Sequence, residues 1–143
     1  MGIPTPEPGL VLNYAYLWHD EHRAGREEGR KDRPSVIVLC ATREADGAII
    51  VTVLPITHAA PGDSRSAVEI PHAIKRHLGL DDGRSWIVVA EGNEFLWPGH
   101  DLRKVPNTDA YEFGMLPPRF FDRVRDSFVA FSKAGQSKST SRS

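Results

Sequence analysis

The sequence predicts a small, mainly β domain with short helices, an α+β barrel with helices at its edges. Three observations carry that prediction. Short apolar runs of strand length recur from Leu10 to Ala90, and helical periods are scarce before residue 117. The strands are also not separated by the regular crossover helices that a parallel doubly wound sheet requires. The 143 residues fit one domain, and at 40% hydrophobic the chain has apolar material for a core without disulfides or a metal. The expected domain spans residues 1–134, with 135–143 as a tail.

The elements follow in order. Pro4, Pro6 and Pro8 make an extended lead-in. Leu10 to Trp18, aromatic and aliphatic, reads as the first strand. From His19 to Asp32 the chain is almost wholly polar, which predicts a long exposed loop. Ser35 to Ala41 and Ala48 to Ile56 are the next strands, with Asp46-Gly47 as the turn signal before the second. Ser66 to Ile70 is a short strand. Pro71 then suits the first turn of a helix through Leu78, with Gly79 as its stop. Ser85 to Ala90 is a further strand, followed by the aromatic stretch Phe95 to Gly99. Pro117 and Pro118 open a closing helix to Lys133, in which Phe120, Phe121, Val124, Phe128 and Phe131 share one face as core. The Ser/Lys/Arg-rich tail has no apolar residue after Gly135 and is expected to be disordered.

Composition bounds function. The single cysteine, Cys40, excludes an internal disulfide and a Cys-rich zinc site, and within Val36 to Cys40 it reads as a buried, inert thiol. The N-terminus has neither a basic start nor an apolar h-region, and no apolar run is long enough to span a bilayer, so no membrane association and a cytoplasmic location are expected. The net charge of −1 neither demands nor excludes nucleic acid. Glycine-rich phosphate loops, G-x-S-x-G and H-E-x-x-H are absent from the sequence. His19 with His22, and His72 with His77, lack a convincing third ligand, so neither a metal nor another cofactor is expected.

What remains is a constellation around the first three strands. Arg23, Arg26, Arg30, Lys31 and Arg33 belong to a polar loop that runs directly into Pro34-Ser35-Val36. An arginine at a strand's start presents planar donors from a rigid base to a phosphate. Thr57 and His58 end the third strand, at the end where Arg33 begins the second. Taken alone, these residues read first as a solvated loop and an ordinary edge threonine.

Their order narrows the choice. Gly9-Leu10-Val11, a polar loop, Lys31-Asp32-Arg33-Pro34-Ser35-Val36-Ile37-Val38 and Val51 to Thr57 together resemble the N-terminal pattern of the MazF/PemK toxin endoribonucleases, over about residues 8 to 58. That resemblance implies an SH3-like small barrel of the MazF/PemK/CcdB type with a C-terminal helix. It further implies a homodimer, metal-independent cleavage of single-stranded RNA, and an antitoxin protein as partner. By position, Arg33 matches the arginine that contacts the scissile phosphate and Thr57 the hydroxyl residue at the third strand's end. The second half, with Gly79-Leu80, Arg84 to Val88 and Glu91 to Gly99, departs from the better-known members and marks a divergent PemK-like branch.

Such cleavage needs a base, a cation for the charged phosphorane and an acid. Arg33 fits the cation and Thr57 can orient a phosphate oxygen. His58 is the foremost titratable candidate, with His22 and Glu91 as others. The loop residues Arg23, Arg26, Arg30 and Lys31 would hold phosphates, and Trp97 would stack on an unpaired base, whereas Trp86 reads as buried. The alternative is a catalytically inactive barrel that binds RNA or a protein partner.

Overall fold

A computed structural model describes residues 2–19, 31–135 and 138–142. Eight strands and two α-helices follow one another: β1 (Leu10–Ala15), β2 (Asp32–Thr42), β3 (Ile49–Thr57), β4 (Ala67–Glu69), α1 (His72–Leu78), β5 (Trp86–Val88), β6 (Glu91–Leu96), β7 (Glu112–Met115), α2 (Pro118–Lys133) and β8 (Lys138–Arg142). The class is α+β with a mainly antiparallel sheet, as the strand spacing predicts. The order is β4-β5-β3-β2-β1-β7, with β6 added to β3 and β8 to β6. Among the described residues β4 and β7, at the two ends of this order, do not pair with each other, so the sheet is not closed, in contrast to the expected barrel.

Strand alternation builds two cores on the two faces of one sheet. Val11, Val36, Leu54 and Ile56 point to the face covered by α2, through Phe120, Phe121 and Val124, and by Val68 and Ile87 of β4 and β5. Leu10, Leu12, Ile37, Val51 and Val53 point to the other face, with Tyr14, Tyr16, Trp18 and Phe95. There Tyr14 stacks on Phe95 at 5.0 Å and Tyr16 meets Trp18 edge-on at 5.2 Å. A register shift between Ile37 and Leu39 marks an irregularity in the pairing of β2 with β3.

β3 divides its open side between two partners. Ile50 to Val53 pair with β6, and Ile56 and Thr57 pair with β5. This branching brings the loop between α1 and β5 beside the end of β3. α1 stops where expected, with Gly79 at φ 71° and its N–H bonded to the carbonyls of Lys75 and Arg76. A Cβ at Gly79 would meet nothing within 4 Å, so only backbone strain opposes it. Gly79→Ala is therefore expected to cost about 1 kcal/mol and Gly79→Asn less, read from urea midpoints.

Four segments differ from the sequence prediction. β1 ends at Ala15 rather than Trp18, and residues 16–18 leave the strand to pack on β6. β6 and β7 are strands that the residue types did not announce. The tail expected to be disordered contributes the backbone of β8, parallel to β6 from Glu91↔Lys138 to Phe95↔Arg142. Trp86 is buried, as expected.

Candidate functional site

Arg33 is the second residue of β2 and pairs with Tyr14 of β1. The β2–β3 register, Ser35↔Pro55 and Val36↔Leu54, continues outward to set Arg33 across from Thr57. The Arg33 Nη1 donates to the carbonyl of Ile56 at 3.4 Å, and its guanidinium lies 4.9 Å from the centre of the Trp18 ring.

Two hollows meet at this point. The larger, a cavity of about 630 Å³, takes Lys31, Asp32, Arg33 and His58 into its wall with Asp81 and Ser85, over an apolar floor that includes Ile56 and Phe113. The smaller, about 250 Å³, is lined by Trp18, Thr57 and Glu91. The alternation of β3 explains the division: Ile56 and His58 point to one side and Thr57 to the other. Arg33 stands at the ridge, in the wall of the first and against the aromatic ring that lines the second.

On the cavity side, His58 is held between acceptors. Its Nε2 lies 2.8 Å from Asp81 Oδ2, and its Nδ1 lies 2.9 Å from the Arg84 carbonyl and 3.3 Å from Ser85 Oγ. A neutral imidazole can donate to only one of these sides. Asp81 is in turn fixed by Lys75, whose side chain is 2% exposed. The Lys75 Nζ donates to Asp81 Oδ1 at 2.6 Å, to Ser85 Oγ at 2.8 Å and to the Gly83 carbonyl. One buried cation thus ties three positions of the α1–β5 loop to the helix.

The Lys75 hydrogen bond, aided by the charge of His58, holds the Asp81 carboxyl below its ordinary range, with partial burial opposing. A carboxyl held low in the folded chain stabilises it fully above the unfolded value of about 3.9, and that stability is lost as pH falls through the folded value. Wild type is therefore expected to lose stability below about pH 4, and Asp81→Asn to lose less there while being weaker at pH 7. Thermal melts from pH 7 to pH 2 check the difference in slope.

On the smaller side, Glu91 Oε2 accepts from the Tyr16 hydroxyl and from the His19 N–H, each at 2.9 Å. Burial, then the Glu91 carboxylate, pushes the Tyr16 phenol far above its ordinary range, and the charge of Arg33 pulls it back. The Thr57 hydroxyl accepts from the Ala59 N–H at 3.1 Å.

Of the residues singled out from the sequence, Lys31, Arg33 and His58 share the cavity, while Thr57 and Glu91 lie in the adjoining hollow. Trp97 is not with them. Its N–H bonds to Ile49 at the start of β3, so the nine-residue strand, roughly 30 Å at about 3.3 Å per residue, separates it from His58. It is half-buried, 6.1 Å from Phe95, in the aromatic core. His22, Arg23, Arg26 and Arg30 fall outside the described residues. Sequence reasoning missed Trp18, Asp81, Ser85 and Lys75. A signal existed for Lys75, which stands three residues before Leu78 on the inward face of α1. None existed for Asp81, whose role depends on β3 arriving beside its loop.

Among the described residues no helix is long and apolar enough to cross a membrane, and no group of three metal-ligating side chains occurs. Fold and site define an α+β protein with a cationic ridge between two hollows, one holding a histidine–aspartate pair and the other a glutamate. Comparison with protein-family models, with curated proteins and with solved structures found no match.

Proposed function

We propose that this chain is a metal-independent endoribonuclease of single-stranded RNA, of the MazF/PemK type. In this reading the open sheet is a variant of the SH3-like small barrel. The protein acts in the cytoplasm as a homodimer, as the toxin of a toxin–antitoxin pair restrained by an antitoxin protein. The observation that carries the reading is the position of Arg33, on the ridge with His58 and Asp81 to one side and Glu91 and Thr57 to the other.

That arrangement suits in-line attack. A phosphate on Arg33 has its two apical positions facing opposite ways, so base and acid belong on opposite sides of it. Glu91 takes the proton of the 2′-hydroxyl, and the 2′-oxygen bonds to phosphorus. Arg33 stabilises the doubly charged phosphorane, and the Thr57 hydroxyl orients one of its oxygens. His58 then gives its proton to the departing 5′-oxygen as the P–O bond breaks. The products are a 2′,3′-cyclic phosphate and a free 5′-hydroxyl. Lys31 meets the flanking backbone phosphate.

One observation favours the alternative of an inactive barrel that binds RNA or a protein. Both ring nitrogens of His58 are already engaged, by Asp81 and by the Arg84 carbonyl, so proton transfer requires one contact to open. Incubation with a defined single-stranded RNA in EDTA, with end-group analysis, decides between them. Cyclic phosphate ends support the nuclease, and intact RNA that still binds supports the alternative.

A further inference from the structure

The wall of the larger cavity next to Arg33 has a chemistry that phosphate binding does not use. Asp32 precedes Arg33 on β2 and lines the cavity together with Val105, Pro106 and Phe113. Its carboxylate is lightly held. The Arg103 Nε beside it is 3.7 Å away, beyond hydrogen-bond range, and Arg103 Nη1 donates instead to the carbonyls of His100 and Leu102. The volume of about 630 Å³ accommodates a nucleoside, within the usual range for small-ligand sites of about 300–1,000 Å³.

We infer that this cavity is a guanine pocket, in which the Asp32 carboxylate reads the base of the nucleotide whose phosphate sits on Arg33. The inference rests on the nuclease reading for the placement of the phosphate. A carboxylate is acceptor-only and offers two parallel oxygens. Guanine alone among the four bases presents two adjacent donors, the N1–H and the 2-amino group, on one edge. Adenine and cytosine offer one amino group beside an acceptor, and uracil one imino group between two acceptors, so each sets a lone pair against the second oxygen. Phe113, Pro106 and Val105 supply the apolar lining that a purine ring requires. Lys31 and Arg33, in the same cavity wall, hold the attached phosphate.

The test measures binding of the four nucleoside 5′-monophosphates and of inosine 5′-monophosphate to the full chain, by titration calorimetry or NMR shifts, because the nucleoside on the His58 side of the phosphate is joined to it through its 5′-oxygen. Guanosine 5′-monophosphate is expected to bind at least about tenfold more tightly than the adenosine, cytidine and uridine forms, the usual scale for one paired contact to a base edge. Inosine 5′-monophosphate, which lacks the 2-amino group, falls between. Asp32→Asn is expected to remove most of that preference, and Phe113→Leu to weaken all three purines. Arg33→Ala should weaken all five by a similar factor. Equal binding of the four, no binding, or a guanine preference that survives Asp32→Asn overturns the pocket. Its failure is separable from that of the nuclease. A chain that binds guanosine 5′-monophosphate selectively but leaves RNA intact keeps the pocket and loses the enzyme. One that cleaves RNA with no such selectivity does the reverse.

Discussion

Arg33→Ala is expected to lower the single-turnover rate of RNA cleavage by about a hundredfold or more, the usual scale for losing one preorganised electrostatic stabiliser. The reason is differential. Charge grows on the phosphate only as the 2′-oxygen attacks, so a guanidinium on the ridge acts more on the transition state than on bound RNA. Affinity for RNA should fall far less than the rate. Arg33→Lys should rescue poorly, because a single ammonium cannot both lie over Trp18 and present a planar fork to the phosphate. A purely structural role predicts a different pattern. Loss of the Trp18 contact and the Ile56 hydrogen bond would then lower stability by about 1 kcal/mol, with activity falling only as the unfolded fraction rises. Melting temperature and cleavage rate measured on the same samples separate the two. A folded Arg33→Ala protein that cleaves at the wild-type rate sinks the assignment.

Lys75→Ala is expected to cost about 3 kcal/mol of stability. Truncation removes the cation that reaches Asp81 Oδ1, Ser85 Oγ and the Gly83 carbonyl together, and Ser85 is itself buried. The hydrogen bonds lost around the buried ammonium, one of them to the buried Ser85 hydroxyl, and the space left by three methylenes and the ammonium act in the same direction. Lys75→Met restores the volume without the donors and should recover roughly half the loss. Both variants release the α1–β5 loop from the helix, so Asp81 no longer holds His58, and cleavage should fall even where the chain remains folded. Urea unfolding with parallel rate measurements checks both effects. A Lys75→Ala midpoint equal to wild type would show that the loop holds itself.

Much of the architecture was readable from residue types, because the strands that form the sheet's centre are held by their own alternating apolar residues. Val36 and Val38 against Ile37, or Leu54 and Ile56 against Val53, fix which side faces which core before any partner is known. The closing helix was equally legible. Phe120, Phe121 and Val124 form a stripe at helical spacing that needs a sheet to cover, and Pro117 and Pro118 set its start. Arg33 at the edge of β2 and His58 beyond the end of β3 followed from the same register logic, since antiparallel neighbours bring such ends together.

The rest lay in contacts made at long range. Glu91-Gly92-Asn93-Glu94 has poor strand propensity, and β6 exists because Asn93, fully buried, pairs both its amide groups with the backbone of Leu17 while Gly92 fits closely against the Val53 carbonyl. β7 is four residues long with Gly114 at φ 139°, too short and irregular to announce itself, and it is fixed by its pairing with β1. Thr57 and His58 are adjacent in sequence yet serve different hollows, because a strand turns successive side chains to opposite faces. Trp97 suited base stacking by type, and the long span of β3 removes it from the site. The sequence by itself determined the fold class, the central strands and the cation at their edge. Which groups stand around that cation was decided by the tertiary structure alone, because the burial of Lys75 and the branching of β3 depend on partners far along the chain.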